Sequence, residues 1–417
     1  MIPIGISEIL KAVDGTLLWG DENGVVTNVV TDSRKAGKGS LFVPIVGERV
    51  DAHQFIPQVM QAGASVTFSS KKDVVPAASG SCIYVEDTLA ALQKTAAYYR
   101  GRFDISVIGV TGSVGKTTTK EMISAVLEKK YRVVKTQGNW IGVALMMFEL
   151  EPETELAIFE MGMSLPGEMA RLVEIAKPQT AVMTNIGVSH IGNLGSRENI
   201  AKEKGHIVKY VGTSHDGKLY ICGNGDMKQI TGENVPYSLC RVKCPICYYG
   251  TEADCEVRAT DLTVIETGQK FVYHGRQTGE VELSVMGGHN VNNALVAMAL
   301  GEQFGVAFAD AVQALKEYRP FSMRGERKDA HGYHVIDDTY NASPDSINSN
   351  IDALFDYAKT GQKIAVLGDV LELGEQSEEL HRGIGKFIVK EAEKGKALDL
   401  VITVGEGASF IAKQVEE

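Results

Sequence analysis

The sequence has no run of eighteen apolar residues and no N-terminal signal-peptide pattern. A helix that crosses a membrane needs about twenty apolar residues, so we expect no membrane insertion. Without a targeting segment we expect a cytoplasmic location. The sequence also has no low-complexity stretch and no internal repeat, and its 44% hydrophobic and 23% charged residues are typical of a globular protein.

Positive charge is scarce in this chain. The net charge is -11 and the isoelectric point is about 5.4. No overall basic field is present to attract nucleic acid or anionic lipid, so we expect neither as a partner. An acidic substrate must therefore be held by cationic groups that are placed locally.

The paired cysteines that usually hold structural zinc are also lacking. Four of the six cysteines, Cys240, Cys244, Cys247 and Cys255, lie close together, and Cys244 and Cys247 form one C-x-x-C pair. Structural zinc usually requires a second pair, which is missing here. We therefore interpret these residues as reduced thiols of a cytosolic protein, in which a disulfide is also disfavoured, while a zinc site stays open as the alternative.

The chain of 417 residues exceeds what one hydrophobic core usually supports, so we expect two to four domains. Alternating strand and helix patterns predict an α/β protein with three domains. Residues 103–323 would form a central P-loop ATPase domain with a mostly parallel sheet. A small α/β domain would precede it at 1–102, and a Rossmann-like α/β domain would follow it at 324–417.

A phosphate-binding loop is predicted in the segment 105–119. Ile105–Val110 is typical of a buried parallel strand, and the residues from Lys116 onward have helical spacing. The tight turn between them points backbone N–H groups and the positive end of the helix dipole at an anion. The first position of the usual pattern is Val110 instead of glycine, so a chance glycine turn is the alternative. The candidate ATP-binding residues are Gly112, Ser113, Val114, Gly115, Lys116, Thr117 and Thr118, and Thr117 is also a candidate magnesium ligand.

Two further candidates follow predicted strands of the central region. Glu160 stands near the end of one strand, and His190 follows the strand predicted over Thr180–Gly187. Ligands of parallel sheets bind beyond the carboxyl ends of the strands, so both side chains can converge on the phosphate loop. The alternative for His190 is a purely structural histidine.

Asparagines lie around the start of an Ala-rich helix predicted over Asn292–Phe304. Asn290 and Asn293 are candidate ATP-binding residues, because their side-chain amides can hydrogen-bond the edge of a base. The alternative is simple capping of the helix N-terminus.

Several short motifs occur in a fixed order along the chain. They are Thr31–Arg34, Thr111–Thr118, Glu160–Met163, Thr184–Gly187 with His190, Leu194–Ser196, Ala201–Lys204, His289–Ala294 and Asp337–Ala342. Together they resemble the Mur ligases, a family of ATP-dependent amide-forming enzymes of peptidoglycan synthesis. The resemblance runs from about residue 5 to the end of the sequence.

Asp337–Pro344 and Gly368–Gly374 are most similar to those Mur ligases that add D-alanyl-D-alanine to UDP-N-acetylmuramoyl-tripeptide. The resemblance thus implies these two substrates, ATP, two Mg²⁺ sites and a monomer. A sister ligase with another carboxylate substrate, or an ATP-binding paralogue that no longer ligates, are the alternatives. No single motif indicates whether the third residue of the tripeptide is lysine or diaminopimelate.

The resemblance also implies the reaction. A peptide carboxylate attacks the γ-phosphate of ATP to give an acyl phosphate, and the dipeptide amine then displaces phosphate. This chemistry needs charge neutralisation more than a protein nucleophile. The implied catalytic residues are Lys116, His190, Lys204 and Arg324, and Arg324 also binds ATP. The implied metal ligands are Thr117, Glu160, His190 and Lys204. The implied substrate-binding residues are Ser33, Arg34, Asn139, Asp338 and Asn341.

Lys204 is expected to be carbamylated. The predicted helix Asn199–Tyr210 can turn Lys204 inward, and an unpaired buried ammonium tends to lose its proton. A neutral amine can take up CO₂, and the resulting anion would favour a nearby Mg²⁺. The family resemblance implies a modified lysine at the same place. The alternative is a solvated lysine paired with Glu203 or Glu198.

The resemblance also implies that the last domain closes over ATP and the dipeptide, with Arg324 at its hinge. The polar link around Gly325 after Pro320 predicts that this hinge is the segment Phe321–Glu326.

The sequence departs from the family pattern in a few places. The loop after Asn139 is shorter than usual, since Trp140 runs directly into Ile-Gly. Gly192 and His206 stand where acidic residues are usual. Family members usually continue to a Lys-Gly-Ser motif and a closing helix, which this sequence lacks.

Overall fold

The computed structural model describes residues 1–47, 49–136, 140–213, 216–231, 244–320, 322–357 and 360–417. These residues form an α/β fold whose largest sheet has nine strands. None of the helices in these ranges is long and apolar enough to cross a membrane. The described chain divides into two compact units, one comprising 1–107, 134–159 and 171–177, and the other comprising 108–133, 160–170 and 178–417. The predicted domain boundaries at 102 and 323 stay a prediction.

The N-terminal part of the first unit is built on a five-stranded sheet with the strand order β2-β7-β6-β5-β4. The β2–β7 pairing is antiparallel and the other three are parallel. The strands of this region are β1 Ile4–Gly5, β2 Thr16–Trp19, β3 Val25–Val26, β4 Asn28–Val30, β5 Ser40–Phe42, β6 Val66–Ser69 and β7 Ser81–Tyr84. Of these, β1 and β3 pair with each other in a separate antiparallel sheet. Its helices are α1 Ile6–Val13, α2 Ile56–Gln61 and α3 Thr88–Arg100.

The first unit has an apolar core beneath this sheet. One cluster packs side chains of β4 and β5 against α2, and its members are fully or nearly fully buried. Its members are Val30, Phe42, Ile56, Val59, Met60 and Ala64. The strand predicted over Val25–Asp32 is interrupted at Thr27, because the Thr27 N–H turns to donate to the Gly39 carbonyl (2.8 Å).

The nine-stranded sheet has the order β16-β15-β14-β13-β12-β11-β8-β10-β9. The pairings from β8 through β11, β12 and β13 to β14 are parallel, and the last two are antiparallel. The strands are β8 Ser106–Thr111, β9 Val133–Lys135, β10 Leu156–Glu160, β11 Thr180–Met183, β12 Leu219–Cys222, β13 Ile246–Gly250, β14 Val257–Ile265, β15 Gly268–His274 and β16 Thr278–Leu283. The helices of this region are α4 Lys116–Leu127, α5 Trp140–Met147, α6 Glu168–Ala176, α7 Ile191–Leu194, α8 Arg197–Gly205, α9 Met227–Thr231, α10 Gly288–Gln303 and α11 Phe308–Glu317.

Three predicted elements of this region have different bounds. The strand predicted over Thr180–Gly187 ends at Met183, because the following residues turn toward the phosphate loop. The helix predicted over Asn199–Tyr210 is α-helical only to Gly205 and continues as a 3-10 helix. The Ala-rich helix begins at Gly288, four residues before the predicted start.

The C-terminal residues of the second unit contain two two-stranded sheets, an antiparallel β17–β18 pair and a parallel β19–β20 pair. The strands are β17 Glu326–Ala330, β18 Tyr333–Asp337, β19 Ile364–Gly368 and β20 Leu400–Val404. The helices are α12 Pro344–Tyr357, α13 Ser377–Glu393 and α14 Ser409–Glu416, with a 3-10 turn over Gly374–Gln376 before α13.

Candidate active site

The phosphate loop joins β8 to α4, as the sequence predicts, and two of its glycines are required by its geometry. Gly112 has a φ of +149° and Gly115 a φ of +81°. A Cβ atom added at Gly112 would lie 1.9 Å from Thr184 Oγ1, so no other residue fits there. The loop can therefore approach a ligand with bare backbone.

The end of β11 fixes the conformation of this loop. Asn185 Oδ1 accepts hydrogen bonds from the backbone N–H groups of Ser113 and Val114, both at 2.9 Å. Thr184 Oγ1 donates to the Val114 carbonyl (2.6 Å), and the Gly187 N–H donates to Ser113 Oγ (2.9 Å). No role was predicted for Asn185, because it fell inside the strand predicted over Thr180–Gly187, which in the structure ends at Met183.

Two lysines donate to the same loop carbonyl. The Gly112 carbonyl oxygen accepts from Lys116 Nζ (2.9 Å) and from Lys204 Nζ (3.0 Å), and Lys116 also donates to the Ser113 carbonyl (3.2 Å). Lys204 is only 1% exposed. Burial lowers the pKa of Lys204 well below its usual value, and the charge of Lys116 lowers it further. Burial also lowers the pKa of Lys116, against the opposing effect of Glu160.

Glu160 lies at the carboxyl end of β10 and contacts the first turn of α4. Thr117 Oγ1 lies 2.9 Å from both carboxylate oxygens of Glu160, which is 9% exposed. These hard oxygen donors suit Mg²⁺, whose octahedral ligands at about 2.0–2.1 Å lie about 3 Å apart when adjacent. The pair therefore fits an Mg²⁺ ion whose remaining ligands would be water and phosphate oxygens.

Within the described ranges, no group of three or more His, Cys, Asp or Glu side chains is arranged to hold a metal. This includes Cys244, Cys247 and Cys255, which are buried free thiols. Burial raises the pKa of Cys247 to about 12, which disfavours the thiolate that zinc requires. Cys240 and the predicted substrate residue Asn139 lie outside the described residues.

His190 stands directly before α7 with a φ of +64°, a left-handed conformation that is uncommon outside glycine. Its Nδ1 atom is hydrogen-bonded to the carboxylate of Glu372. Burial lowers the pKa of His190, Glu372 opposes this shift, and the charges of Lys116 and Lys204 add to it. His190 therefore lies within electrostatic reach of both lysines.

A cavity of about 240 Å³ adjoins the phosphate loop. At its edge, Asn293 Oδ1 accepts from Thr119 Oγ1 (2.9 Å), and Asn293 Nδ2 donates to Asn290 Oδ1 (3.2 Å). Neither asparagine caps α10, whose N-cap is Gly287 and has no side-chain cap bond. Of the predicted site residues, the cavity is lined by Val114, Gly115, Thr118, Asn290, Asn293, Arg324, Asp338 and Asn341.

The C-terminal residues at this cavity are held by neighbouring side chains. The guanidinium of Arg324 lies 4.1 Å from the centroid of the Tyr340 ring, a cation–π contact. Asn350 Nδ2 donates to Asp338 Oδ2 (2.6 Å). Burial raises the pKa of Asp338 to about 6.

Ser33 and Arg34, which were predicted to bind substrate, lie in the first unit and not among the residues gathered at the phosphate loop. They belong to a 3-10 turn whose N-cap is Asp32. The Arg34 side chain is 86% exposed and its guanidinium pairs with Asp32 at 2.8 Å. This ion pair and a backbone N–H lower the pKa of Asp32 to about 2.

Three segments of the sequence match models of a known protein family that binds ATP, in agreement with the phosphate loop described above. Residues 110–301 match the Mur ligase middle domain, residues 323–417 match the Mur ligase glutamate ligase domain, and residues 25–100 match the catalytic domain of the Mur ligase family. The chain belongs to the Mur ligase family, and it is an ATP-dependent ligase.

Individual relatives within this family share one enzyme name. The UDP-N-acetylmuramoyl-tripeptide–D-alanyl-D-alanine ligase of Bacillus subtilis is 39% identical over 418 residues, and these cover 99% of this chain and 88% of the relative. The enzyme of the same name from Escherichia coli is 31% identical over 425 residues, which cover the same shares.

Two solved structures confirm the α/β, three-domain fold class. MurF of Acinetobacter baumannii has a TM-score of 0.88 at 29% identity, covering 99% of this chain and 88% of that one. MurF of Thermotoga maritima in complex with ADP has a TM-score of 0.80 at 29% identity, covering 92% of this chain and 86% of that one.

Proposed function

We propose that this ligase joins D-alanyl-D-alanine to UDP-N-acetylmuramoyl-tripeptide through an acyl phosphate, as a step of peptidoglycan precursor synthesis. The observation that carries the proposal is the phosphate loop, whose Gly112 carbonyl accepts hydrogen bonds from the Nζ atoms of Lys116 and Lys204 beside the Thr117–Glu160 pair. The names of the relatives that match almost the whole chain support these substrates.

In the proposed mechanism, the chain neutralises charge in the transition state. Backbone N–H groups of the loop and the ammonium of Lys116 bind the β- and γ-phosphates while the peptide carboxylate attacks the γ-phosphorus. Arg324 would approach the same phosphates from the C-terminal region. Because these charges are in place before the reaction, they stabilise the developing negative charge without reorganising.

The proposed metal sites lie beside this loop. Thr117 and Glu160 would hold one Mg²⁺, and His190 would hold a second. Bound Mg²⁺ would neutralise phosphate oxygens and align them with the attacking carboxylate. The oxygen donors of Thr117 and Glu160 are the kind of ligand that Mg²⁺ prefers, whereas the imidazole of His190 is a less usual Mg²⁺ ligand that would need water and phosphate oxygens beside it.

Carbamylation of Lys204 is part of this proposal. Lys204 is 1% exposed and burial lowers its pKa, which favours the neutral amine over the ammonium, and only the neutral amine reacts with CO₂. The product is an anion next to Lys116 and to the proposed metal. The charge at this position would then change from positive to negative, which suits two divalent cations in one site.

Substrate binding is assigned to residues from three separate regions of the sequence. Ser33, Arg34 and Asn139 would contact the UDP-peptide, and Asp338 and Asn341 would contact the dipeptide or ATP. The monomeric state and the cytoplasmic location also stay predictions. The open alternative is a sister ligase with another carboxylate substrate.

The test is a coupled phosphate-release assay with ATP, UDP-tripeptide and D-alanyl-D-alanine, each omitted in turn. We expect release only when all three are present. Release that follows another UDP-peptide instead would support the sister ligase, and absence of release with all three substrates would contradict the proposal. Running the lysine-containing and the diaminopimelate-containing tripeptides side by side identifies the third residue.

Variants separate the loop chemistry from folding. We expect Lys116→Ala to lower phosphate release by about 10²–10³ because it removes a positioned donor to developing charge. Lys129→Ala is the matched control, since Lys129 follows the same helix and pairs on the surface with Glu317 (3.0 Å). Near-normal release by folded Lys116→Ala protein would contradict the assignment.

A further inference from the structure

A short segment of the glutamate ligase domain contacts the residues around His190. We call residues Leu371–Gln376 the docking loop. The Gly192 N–H donates to the Glu372 carbonyl (3.0 Å), and Gln376 Nε2 donates to the Gly195 carbonyl (3.3 Å). In addition to the backbone bond to Gly192 and the side-chain bond from Gln376, the Glu372 carboxylate bonds to His190 Nδ1. The docking loop thus holds both ends of α7.

The approach between the two backbones is as close as glycine permits. A Cβ atom added at Gly192 would lie 2.7 Å from Gly374 N and 2.8 Å from Glu372 O. A Cβ atom added at Gly374 would lie 2.9 Å from Gly192 Cα. Real side-chain atoms do not approach backbone atoms this closely, so glycine at these two positions is a requirement of the contact.

The docking loop is itself firmly held. Leu373 is 2% exposed, and the Val370 N–H donates to His381 Nε2 (3.0 Å). Glu372 has a φ of +62°. A glutamate in this left-handed region is strained and persists only where surrounding contacts impose it. The backbone of Glu372 is therefore set by the loop, and its half-exposed side chain bonds to His190.

This contact determines which nitrogen of His190 carries the proton. An ionised carboxylate only accepts hydrogen bonds, so Nδ1 must be the donor. A neutral imidazole has one N–H, which leaves the lone pair of Nε2 available. Metal-binding histidines in proteins usually donate their other ring N–H to a carboxylate or carbonyl in this way.

We propose that Glu372 is a positioning residue that holds His190 in the Nδ1–H tautomer and so prepares Nε2 as a metal ligand. The inference rests on the proposed function, in which His190 binds a metal. His190 belongs to the middle-domain match and Glu372 to the glutamate ligase match. The metal site is consequently complete only when the docking loop is in place.

The first experiment reads the tautomer without metal, substrate or turnover. The full chain is labelled with ¹⁵N-histidine, and long-range ¹H–¹⁵N spectra are recorded at pH 7.5 in the presence of a chelator. His190→Asn identifies the His190 signals among the nine histidines. We expect the Nδ1–H pattern in the wild type and a change to mainly Nε2–H in Glu372→Ala.

Two further variants make the result specific. Glu375→Ala removes an exposed carboxylate of the same loop and should leave the wild-type pattern unchanged. Glu372→Gln keeps an oxygen acceptor without charge and should also keep the Nδ1–H pattern, including in the event that Glu372→Ala fails to fold. An Nε2–H pattern in the wild type, or the same pattern in wild type and Glu372→Ala, would overturn the proposal.

The second experiment measures Mn²⁺ binding by electron paramagnetic resonance in the presence of a non-hydrolysable ATP analogue. We expect Glu372→Ala to weaken one Mn²⁺ site by about 10–100-fold, as for other residues that orient a histidine ligand. Glu375→Ala should bind Mn²⁺ like the wild type. Unchanged Mn²⁺ affinity in Glu372→Ala would overturn the proposed link to the metal. A wrong substrate assignment would leave both readouts as expected and would appear only in the phosphate-release assay.

Discussion

The proposed chemistry depends most strongly on the sign of the charge at Lys204. Its Nζ atom lies 3.0 Å from the Gly112 carbonyl and close enough to Lys116 for the charge there to lower its pKa. A cation in this position adds to the charge of Lys116, whereas a carbamate would offset it. The change of sign gives a direct test.

We expect Lys204→Ala to lose activity and to regain part of it when short-chain carboxylic acids such as acetate are added. The acid would occupy the vacated space with an anion, as the carbamate is proposed to do. The measurement is phosphate release with and without acetate at constant ionic strength. Lys202→Ala is the control, because Lys202 lies on the exposed side of the same helix.

Full activity of untreated Lys204→Ala would refute the carbamate. Loss of activity that no carboxylic acid restores would count against it as well, provided that the variant retains the wild-type circular dichroism spectrum.

Asp338 gives a pH-dependent prediction at the same scale. Burial raises its pKa in the folded state from 3.8 to about 6. Its favourable contribution to stability is therefore complete below about pH 4 and is lost as the pH rises through 6. We expect Asp338→Asn, which keeps an oxygen for Asn350, to be more stable than the wild type by about 1–3 kcal/mol at pH 7.5 but not at pH 4.

The neighbouring Asp337 is the matched control for this experiment. Lys328 donates to Asp337 at 2.8 Å and lowers its pKa, so its contribution has the opposite sign. Asp337→Asn should therefore lose stability at pH 7.5 relative to low pH. Thermal unfolding of the ligand-free variants across this pH range is the measurement, and parallel curves for the two variants would contradict the assignment.

Residues of the phosphate loop could be predicted from the sequence because their chemistry is local. Lys116 and Thr117 follow a glycine turn within a few residues of a strand and a helix. Asn185 could not be predicted in the same way, since its contact with Ser113 depends on β8 and β11 being neighbours in the sheet. Local patterns indicate the elements, whereas the order of strands is a property of the folded chain.

At the scale of elements, the close backbone contact between α7 and the docking loop can be tested by adding a Cβ atom at Gly192. We expect Gly192→Ala to lower the free energy of unfolding by about 1–3 kcal/mol, because its Cβ atom would press on the backbone of Gly374 and Glu372. Gly383→Ala in α13 is the control, since a Cβ atom there meets nothing within 4 Å. An alanine in that helix should be neutral or stabilising by up to about 1 kcal/mol.

Urea unfolding of both variants checks this expectation, with the helix signal followed by circular dichroism. Equal stability of Gly192→Ala and Gly383→Ala would show that the docking loop yields without cost, and would contradict the close fit described here.

Element bounds were best predicted where hydrophobic periodicity alone decides them. Glu160 was predicted near the end of a strand, and in the structure β10 ends at this residue. The strand predicted from Thr180 was too long, because the side chains of Thr184 and Asn185 turn to bond the backbone of the phosphate loop at the point where β8 also ends. A pattern of apolar residues cannot show where a strand stops for such a reason.

At the scale of the whole molecule, the segment from 322 to 326 is the proposed hinge. Met323 and Gly325 both have positive φ, at +60° and +65°, and a Cβ atom at Gly325 would meet nothing within 4 Å. Hinges are commonly short segments that absorb backbone rotation in this way. Phe321, the first residue of the predicted hinge, lies outside the described residues.

We expect an ATP analogue together with UDP-tripeptide to change the small-angle X-ray scattering curve and to lower the radius of gyration. The physical reason is that Arg324 and the residues after it must approach bound phosphates. Lys116→Ala, with weakened phosphate binding, should show a smaller change at the same ligand concentrations. Identical curves with and without ligands would contradict closure.

The α/β class with three domains could be predicted from the sequence because strand and helix patterns alternate along the chain. The strand order of the nine-stranded sheet could not, since pairings such as the antiparallel β14–β15–β16 extension are not specified by local patterns. Such pairings join strands that are distant in the sequence, and the hydrophobic pattern of a strand does not show which strand it pairs with.

The strand order has a consequence for how the chain emerges from the ribosome. The first sheet has all its strands once Tyr84 has been synthesised. In the larger sheet β8 lies between β10 and β11, so one of its edges stays unpaired until Met183 has been synthesised. During that interval a buried strand of the largest sheet has an open edge. Parallel pairing between distant segments is slow, and open apolar edges aggregate. We therefore expect the nascent chain to be a client of chaperones at the stage when the nucleotide-binding loop already exists but its supporting strand does not.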